Sequence, residues 1–357
     1  MVPLAHMEDE PADGSAPDFG FLYSSPLLDT RGEPLALIDH NAECLEVFAS
    51  LRRSQVGLRA ECDVATARSL RRMLTHGVTI LHYCGHGVST PLPPSGGSSC
   101  DLHSGGGGGG GRELGRPLAT PTLEDLSNVG VAPALPEDEP VASGFSLVLE
   151  DGLGGAHLLP AESLGELVAA GGHALQLVFV SACYSVGGGA AFIRAGVPHV
   201  VAVKRSERIQ DRAACIFAEA FYFGLLRGGK TVQQAFDIGR SAVSSAVGIA
   251  EAAAEAAKFV LLPKYGDHDR PMAVEVFAPK RGLPFRDLSA DEPRNNLPSF
   301  FPLQFFGRHA EWHALLANVS HRHKRLSTIL GPAGIGKSTL CLAAAHNCLQ
   351  RRCVQEG

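Results

Sequence analysis

A cysteine and a histidine that each follow an apolar run are the residues of this sequence best suited to chemistry. His86 comes two residues after the run VTILHYC and stands between two glycines, and Cys183 ends the run LQLVFVSAC. A thiol attacks carbonyl groups as the thiolate, and a neighbouring imidazole takes its proton and later protonates a leaving amine. Backbone N–H groups, most simply those of Gly87 and Cys183, would stabilise the oxyanion. The pattern predicts a Cys–His nucleophilic pair.

Two other interpretations of these residues stay open on spacing alone. Free cysteines are among the most buried residue types, so Cys183 is equally compatible with an inert core position. His82, Cys84 and His86 alternate along one strand and share a face, as zinc ligands could. However, no distant Cys/His pair completes a tetrahedral set. We therefore expect no metal site.

A second chemical motif, GPAGIGKS, occupies Gly331–Ser338 and fits the phosphate-loop pattern. Its backbone amides would surround phosphates, its lysine would reach the β and γ phosphates, and its serine hydroxyl would hold Mg²⁺. The helix predicted to begin here directs its positive end at the anion. ATP or GTP with Mg²⁺ is the expected cofactor of a complete domain. The expected nucleotide-binding residues are Gly331, Gly334, Gly336, Lys337, Ser338 and Thr339.

The sequence stops 20 residues after the lysine of this loop. No second acidic strand for the metal and no sensor residue follow. The segment therefore indicates the opening of an ATPase domain rather than a working enzyme. We expect a truncated chain.

The elements that must position both motifs alternate between strands and helices from residue 34 onward. Apolar runs of five to seven residues that alternate with helices of ten or more are typical of βαβ units with a mostly parallel sheet, covered by helices on both faces. The expected strands are PLALIDH, VGLRAECD, VTILHYC, FSLVLED, LQLVFVSAC, HVVAVKR, FVLLP, MAVEVFA and, before the phosphate loop, LSTIL. Because the carboxyl ends of parallel strands line one edge, His86 and Cys183 should meet there.

Composition shifts divide the chain. Residues 91–140 carry seven consecutive glycines and many prolines, and such a stretch buries too little surface to order. The expected units are a disordered leader (1–33), an α/β domain (34–278) with a disordered insertion (91–140), a linker (279–303) and a truncated nucleotide-binding start (304–357). Within the α/β domain, Gly187–Gly189 reads as a turn, and Thr231 with Gln234 reads as a capping box.

Several of these segments together resemble the CHAT domain, a caspase-like cysteine peptidase module. The resemblance is carried by ILHYCGHG, by SACYS and by the stretch from AAFIRAG through VVAVKR to TVQQAFDIGR, in that order. It implies a caspase-like fold with Cys183 as nucleophile and His86 as base. Caspases place the histidine about 50 residues before the cysteine. His86 and Cys183 are farther apart in this sequence, and the predicted insertion accounts for the additional separation. Ser181 stands where related metacaspases have an aspartate, so cleavage after Arg or Lys is not implied.

The segment FFGRHAEWHALL, which precedes the phosphate loop, is similar to the corresponding segment of STAND-type signalling NTPases. This resemblance implies a peptidase coupled to a nucleotide switch, with self-assembly through the NTPase domain. Two alternatives stay open. One is an inactive CHAT interaction module that acts through ATP-dependent assembly, and the other is a plain NTPase with an α/β accessory domain.

Composition limits the partners and the location of the chain. The formal charge of −6 disfavours nucleic acid, and no run of about 18 apolar residues predicts a membrane span. The N-terminus lacks the pattern of a signal peptide, and nine cysteines without a framework suit a reducing compartment. A cytoplasmic protein with a protein or peptide substrate is the prediction.

Overall fold

A computed structural model describes residues 17–89, 145–204, 209–272, 282–289, 307–320 and 326–351, together with positions 277, 280, 296–298 and 324. The insertion expected at 91–140 and the segment 1–16 lie outside the described residues. The strands are β1 (Phe19–Tyr23), β2 (Arg59–Val64), β3 (Ile80–Cys84), β4 (Gly87–Ser89), β5 (Phe145–Glu150), β6 (Ala156–Pro160), β7 (Leu177–Ser181), β8 (His199–Val203), β9 (Phe259–Leu262) and β10 (Arg286–Asp287). The helices are α1 (His40–Arg53), α2 (Ala67–Thr75), α3 (Ala161–Gly171), α4 (Val186–Arg194), α5 (Asp211–Leu226), α6 (Val232–Ser244), α7 (Ala252–Ala257), α8 (His309–Ser320) and α9 (Lys337–Gln350).

The centre of the fold is a seven-stranded sheet with the order β10-β2-β1-β3-β7-β8-β9. All neighbouring strands are parallel except β9, which runs antiparallel to β8 at one edge. Strands β1, β3, β7 and β8 are buried along their whole length. Such continuous burial needs helices on both faces, which explains why these strands are mostly apolar. The predicted α/β class with a mostly parallel sheet is confirmed.

Each face of the sheet has its own core. One core joins α1, α5 and α6 to the sheet through aromatic side chains, among them Phe217, whose ring stacks on Phe259 with centroids 3.9 Å apart. The other joins α2, α3 and α4 to the opposite face and to β5. The predicted capping box of α6 is confirmed, because the Gln234 N–H donates to Thr231 Oγ1 at 3.1 Å. Local start signals and tertiary burial therefore agree here.

A small antiparallel sheet, β4-β5-β6, lies beside the main one. The run FSLVLED does form a strand, β5, but it pairs outside the main sheet. The stretch Gly187–Gly189, expected as a turn, lies inside α4 instead. A Cβ on Gly188 would come within 2.6 Å of the Phe145 ring, and one on Gly189 within 2.8 Å of Leu262. These glycines let α4 approach the strands closely.

The predicted leader of residues 1–33 is wrong over its described part. Phe19–Tyr23 forms β1, which pairs with β2 on one side and β3 on the other. The run PLALIDH, expected as the first strand, forms no strand, and α1 begins at its last residue. The short apolar run FGFLY is surrounded by proline, aspartate and glycine, which hid a central strand.

Three further expectations differ from the structure near the C-terminus. The predicted linker 279–303 contributes an edge strand, β10, which pairs with β2. Met272 and Phe277, the described residues of the expected strand MAVEVFA, are helical. Residues 326–330, expected as a strand before the phosphate loop, are assigned none, and Leu326 and Leu330 are 85% and 87% exposed.

Helices α8 and α9 dock on the main domain. Trp312, Leu316 and Leu340 form a small core with Leu27, which follows β1. At the end of α9, Arg351 Nε donates to Glu150 Oε2 at 2.7 Å, and the two side chains are 3% and 0% exposed. The other oxygen of this carboxylate accepts from the Ser25 N–H at 2.9 Å. A buried, fully bonded ion pair thus joins α9 to the end of β5.

Among the described helices, none has the length and apolar character needed to cross a membrane.

Candidate active site

The two predicted reactive residues lie at the same edge of the main sheet. Cys84 of β3 stands opposite Ser181 of β7 in parallel register, and the Gly85 N–H donates to the Ser181 carbonyl at 3.0 Å. His86 and Cys183 each follow two residues later. A Cβ on Gly87 would lie 2.2 Å from the Cys183 carbonyl oxygen, so the two backbones touch. The structure therefore places the backbone of Gly87, the residue after His86, against the backbone of Cys183 at this edge of the sheet.

The imidazole of His86 is oriented by a backbone carbonyl. Its Nε2 lies 2.8 Å from the Ala36 oxygen. A carbonyl oxygen only accepts, so Nε2 is the donor in this contact. Tyr83 holds the backbone of the same turn, because its hydroxyl donates to the carbonyls of Val148 and His86 at 2.5 and 3.1 Å. These contacts hold the imidazole on one side and the backbone of its turn on the other.

Gly87 turns its amide away from the small sheet. It pairs with Leu147 of β5, and the Val148 N–H donates to the carbonyl of His86, one position earlier. In an antiparallel ladder this pattern marks Gly87 and Leu147 as a non-hydrogen-bonded pair, whose N–H groups point outward. The Gly87 N–H therefore faces away from β5. Backbone contact with Cys183 and this direction suit an oxyanion donor.

Cys183 is a half-buried free thiol in a constrained turn. The next residue, Tyr184, has φ 59°, a left-handed conformation that costs a residue with a side chain about 1 kcal/mol or more. Ser185 secures the turn, since its hydroxyl donates to the Val180 carbonyl at 3.0 Å and accepts from the Val203 N–H at 2.8 Å. Helix α4 begins at the following residue, and helix N-termini favour negative charge.

An acidic group that sequence reasoning missed lies near His86. Asp211 opens α5 and accepts a hydrogen bond from the Asp39 N–H. Burial raises the pKa of Asp211, and the charge of Glu43 raises it further, whereas the nearby His86 lowers it. Asp211 is 125 residues from His86 along the chain and belongs to no motif, so nothing in the sequence signalled it. Its carboxylate would stabilise an imidazolium at His86.

His82 serves the core rather than a metal. Its ring is fully buried between Phe21 and Phe179, both stacked at 4.7 Å. Its nitrogens lie 3.0 Å from the Tyr222 hydroxyl and 3.0 Å from Glu43 Oε1. In the part of the chain that the structure describes, no three His, Cys, Asp or Glu side chains are placed to share a metal ion.

A family model of the CHAT domain matches residues 15–246. The chain belongs to the CHAT domain family. This family is related to caspase-like peptidases, and the mostly parallel sheet with flanking helices is consistent with that fold. A search of curated proteins finds no match.

The CHAT match sets the limits of what the family explains. It begins four residues before β1 and ends two residues after α6, so it contains β1 and every residue of the candidate site. Strand β9 and helices α8 and α9 lie beyond it. The CHAT match therefore covers the Cys–His site and leaves the phosphate-loop segment outside.

The phosphate-loop segment lies on the surface, apart from the Cys–His site. Helix α9 begins at Lys337, and Gly334 and Gly336 adopt φ 78° and 86°. Lys337 Nζ donates to the Gly331 and Pro332 carbonyls at 3.0 and 2.8 Å, so the ammonium group lies over the loop. Gly331 lies in the exposed loop, and Ser338 and Thr339 are exposed or half-exposed residues of the first turn of α9.

Proposed function

We propose that this CHAT domain is a caspase-like cysteine endopeptidase in which Cys183 is the nucleophile and His86 the general base. The observation that carries the proposal is the contact between Gly87 and the Cys183 carbonyl, each just beyond a paired strand position. That contact supports a site at this edge of the sheet in which a thiol, an imidazole and an outward N–H act together. These are the groups that acyl transfer requires.

The proposed reaction has two stages. Nδ1 of His86 takes the Cys183 proton, the sulfur attacks the peptide carbonyl carbon, and the N–H groups of Gly87 and Cys183 bind the oxyanion. The imidazolium then protonates the amine as the C–N bond breaks, leaving a thioester. Water, deprotonated by His86, hydrolyses the thioester and restores the thiol. The Ala36 carbonyl keeps Nε2 protonated throughout.

A peptide-library digest tests this proposal. The wild-type chain should cleave a subset of peptides, and both Cys183→Ala and His86→Ala should lose cleavage by about 1,000-fold or more. Cys215→Ser is the matched control, because Cys215 is also half-buried but lies on α5. Circular dichroism would verify that every variant is folded. Absence of cleavage by the folded wild type would favour the inactive interaction module.

We also propose that Gly331–Ser338 binds nucleotide phosphates. Support comes from the left-handed glycines, from Lys337 over the loop and from the open space around Gly334 and Gly336, where an added Cβ meets nothing within 4 Å. Bound phosphates would supply negative charge at the start of α9. The residues expected to hold them are Gly331, Gly334, Gly336, Lys337, Ser338 and Thr339, with the Ser338 hydroxyl toward Mg²⁺.

The buried pair Arg351–Glu150 favours coupling between the two proposed sites. Helix α9 begins at the phosphate loop and ends at this pair, and Glu150 ends the strand that pairs with Gly87. Binding of a fluorescent ATP analogue tests the nucleotide site. Lys337→Ala should weaken it at least about 10-fold, whereas Lys264→Ala, an exposed lysine elsewhere, should leave it unchanged. Equal binding by all three proteins would remove the nucleotide proposal.

A further inference from the structure

Two thiols outside the candidate active site touch each other between α1 and β2. Cys44 Sγ lies 3.6 Å from Cys62 Sγ, and the residues are 18 positions apart. Cys44 lies in the first turns of α1, and Cys62 lies within β2, next to the edge strand β10. Both are free thiols of intermediate exposure, packed against the edge of the core. Neither belongs to any motif of the sequence.

The distance between these sulfurs is short enough for a covalent bond to form with little movement. A disulfide joins sulfurs about 2.05 Å apart, so the gap must close by about 1.5 Å. A side-chain rotation of one cysteine, or a small shift of α1 along the sheet, can supply that approach. The ring of 18 residues would tie the helix to the strand beneath it.

We propose that Cys44 and Cys62 are a reversible disulfide site that closes when the chain meets a two-electron oxidant of the peroxide class. This site is separate from Cys183 and does not depend on the proposed peptidase activity.

The chemistry balances with peroxide as the only co-reactant. The thiolate of one cysteine attacks an oxygen of the O–O bond, which gives a sulfenic acid and one water. The second sulfur then attacks the sulfenic sulfur, the S–S bond forms and a second water leaves. Two thiols are oxidised and one peroxide is reduced. The hydrogen bond with Cys44, followed by burial, raises the pKa of Cys62, so Cys62 is assigned as the sulfur that attacks the sulfenic acid in the second step.

The position of the pair connects it to the site at the sheet edge. Glu43, the neighbour of Cys44, bonds His82 of β3, and Asp39, which caps α1, donates its N–H to Asp211 near His86. The segment that leads into α1 also provides the Ala36 carbonyl that orients His86. A Cys44–Cys62 disulfide, which would fix α1 to β2, therefore acts on the helix whose preceding segment orients the His86 imidazole.

The test oxidises the full chain with hydrogen peroxide and maps its peptides without reduction. We expect a Cys44–Cys62 cross-link with a loss of about 2 Da, reversed by a thiol reductant, and a melting temperature about 5 °C above that of the reduced protein. Cys44→Ser should abolish the cross-link, and Cys215→Ser should retain it. Phenylarsine oxide, which bridges close thiols, should link the same two peptides in the wild type. The phenylarsine oxide measurement uses only the wild-type protein and needs no variant.

The proposal is overturned if Cys44 and Cys62 stay thiols, or are oxidised singly, while the exposed Cys341 is oxidised and phenylarsine oxide links neither peptide. A separate measurement, which rests on the proposed peptidase, compares cleavage by oxidised and reduced chain. A rate that changes in the wild type and not in Cys44→Ser supports the link to His86. A cross-link that leaves the rate unchanged overturns that link alone.

Discussion

Two regions of the molecule have similar local sequences and different structures. One is the edge of the main sheet that carries His86 and Cys183, here called the Cys–His rim, and the other is the phosphate-loop segment. In the sequence, each has a glycine-rich stretch after an apolar run. Leu177 of β7 is wholly buried between two parallel neighbours, whereas Leu330, the last residue before the phosphate loop, is 87% exposed and belongs to no strand. The turn after β7 is fixed on both sides by Ser185. The phosphate loop is held by its own lysine.

The difference separates local from non-local structure. Helix α9 begins at Lys337 because glycines at positive φ and a helix-favouring sequence act within a few residues. A strand needs partners that supply hydrogen bonds and cover its faces, and β propensity largely expresses that context. The run LSTIL has no such partner among the described residues, so its composition alone does not make a strand. A motif can thus be locally formed while the sheet around it is not.

The largest effect is expected at the rim. In Gly87→Ala the new Cβ would lie 2.2 Å from the Cys183 oxygen, and relieving that contact must separate the two backbones. Displacement by about 1 Å costs about 100-fold in rate, so peptide cleavage should fall by at least that factor. Gly196→Ala is the control, since Gly196 has φ 97° and open space. It should lose some stability and no cleavage. Equal cleavage by both variants would show that the contact is not part of the site.

Replacing a leucine with alanine should lower the free energy of unfolding by different amounts in β7 and in the run before the phosphate loop. Leu177→Ala removes a side chain from a packed sheet and should lower the free energy of unfolding by about 2–5 kcal/mol. Leu330→Ala removes an exposed side chain and should change it by less than about 0.5 kcal/mol. Urea unfolding measures both. A cost above about 2 kcal/mol for Leu330→Ala would mean that its run is packed as a strand.

The ion pair Arg351–Glu150, which joins α9 to the end of β5, should contribute strongly to the free energy of unfolding. Arg351→Ala leaves Glu150 buried without its cation, which typically costs about 3 kcal/mol or more. Arg270→Ala breaks the exposed pair with Asp267 and should cost less than about 0.5 kcal/mol. Urea unfolding and hydrogen exchange in α9 would report both. Unchanged exchange in α9 of Arg351→Ala would show that the pair does not anchor the helix.

A smaller effect is expected from two buried histidines, His199 and His268, which make the stability of the protein depend on pH. His199 Nδ1 lies 2.8 Å from His268 Nδ1, and His268 Nε2 donates to the Pro263 carbonyl, so His268 cannot gain a proton at Nδ1 without losing its bond to His199. Burial, followed by the charge of His268, lowers the pKa of His199 from 6.5 to about 4. The folded state then binds fewer protons than the unfolded state. Stability should therefore be full above about pH 6.5 and fall as the pH decreases toward 4.

His199→Asn should make this decline shallower, although His40, whose pKa burial also lowers to about 4, keeps part of it. His157→Asn, on exposed β6, is the control and should follow the wild type. Urea midpoints between about pH 4 and 7 measure the difference. A wild-type midpoint independent of pH in that range would contradict the assignment.

The sequence is sufficient to predict secondary-structure elements whose signals are local or whose burial is continuous. The strands that carry His86 and Cys183 and the capping box at Thr231 were predicted in place. The partners of the site were not, because Ala36 contributes only a carbonyl and Asp211 lies far along the chain. Arg351 and Glu150, 201 residues apart, meet only through tertiary packing. Strand β1 was missed because its five apolar residues follow a disorder-like composition, and only its two neighbours reveal it.

The most direct measurement is the rate at which iodoacetamide alkylates Cys183, followed by peptide mapping between about pH 5 and 9. Wild type and His86→Ala are compared, with the exposed Cys341 as the internal reference in each protein. If His86 is the base of Cys183, the wild type should react at least about 10-fold faster than His86→Ala near pH 7, with equal rates at Cys341. Equal rates at Cys183 in both proteins would contradict a catalytic pair at this edge of the sheet.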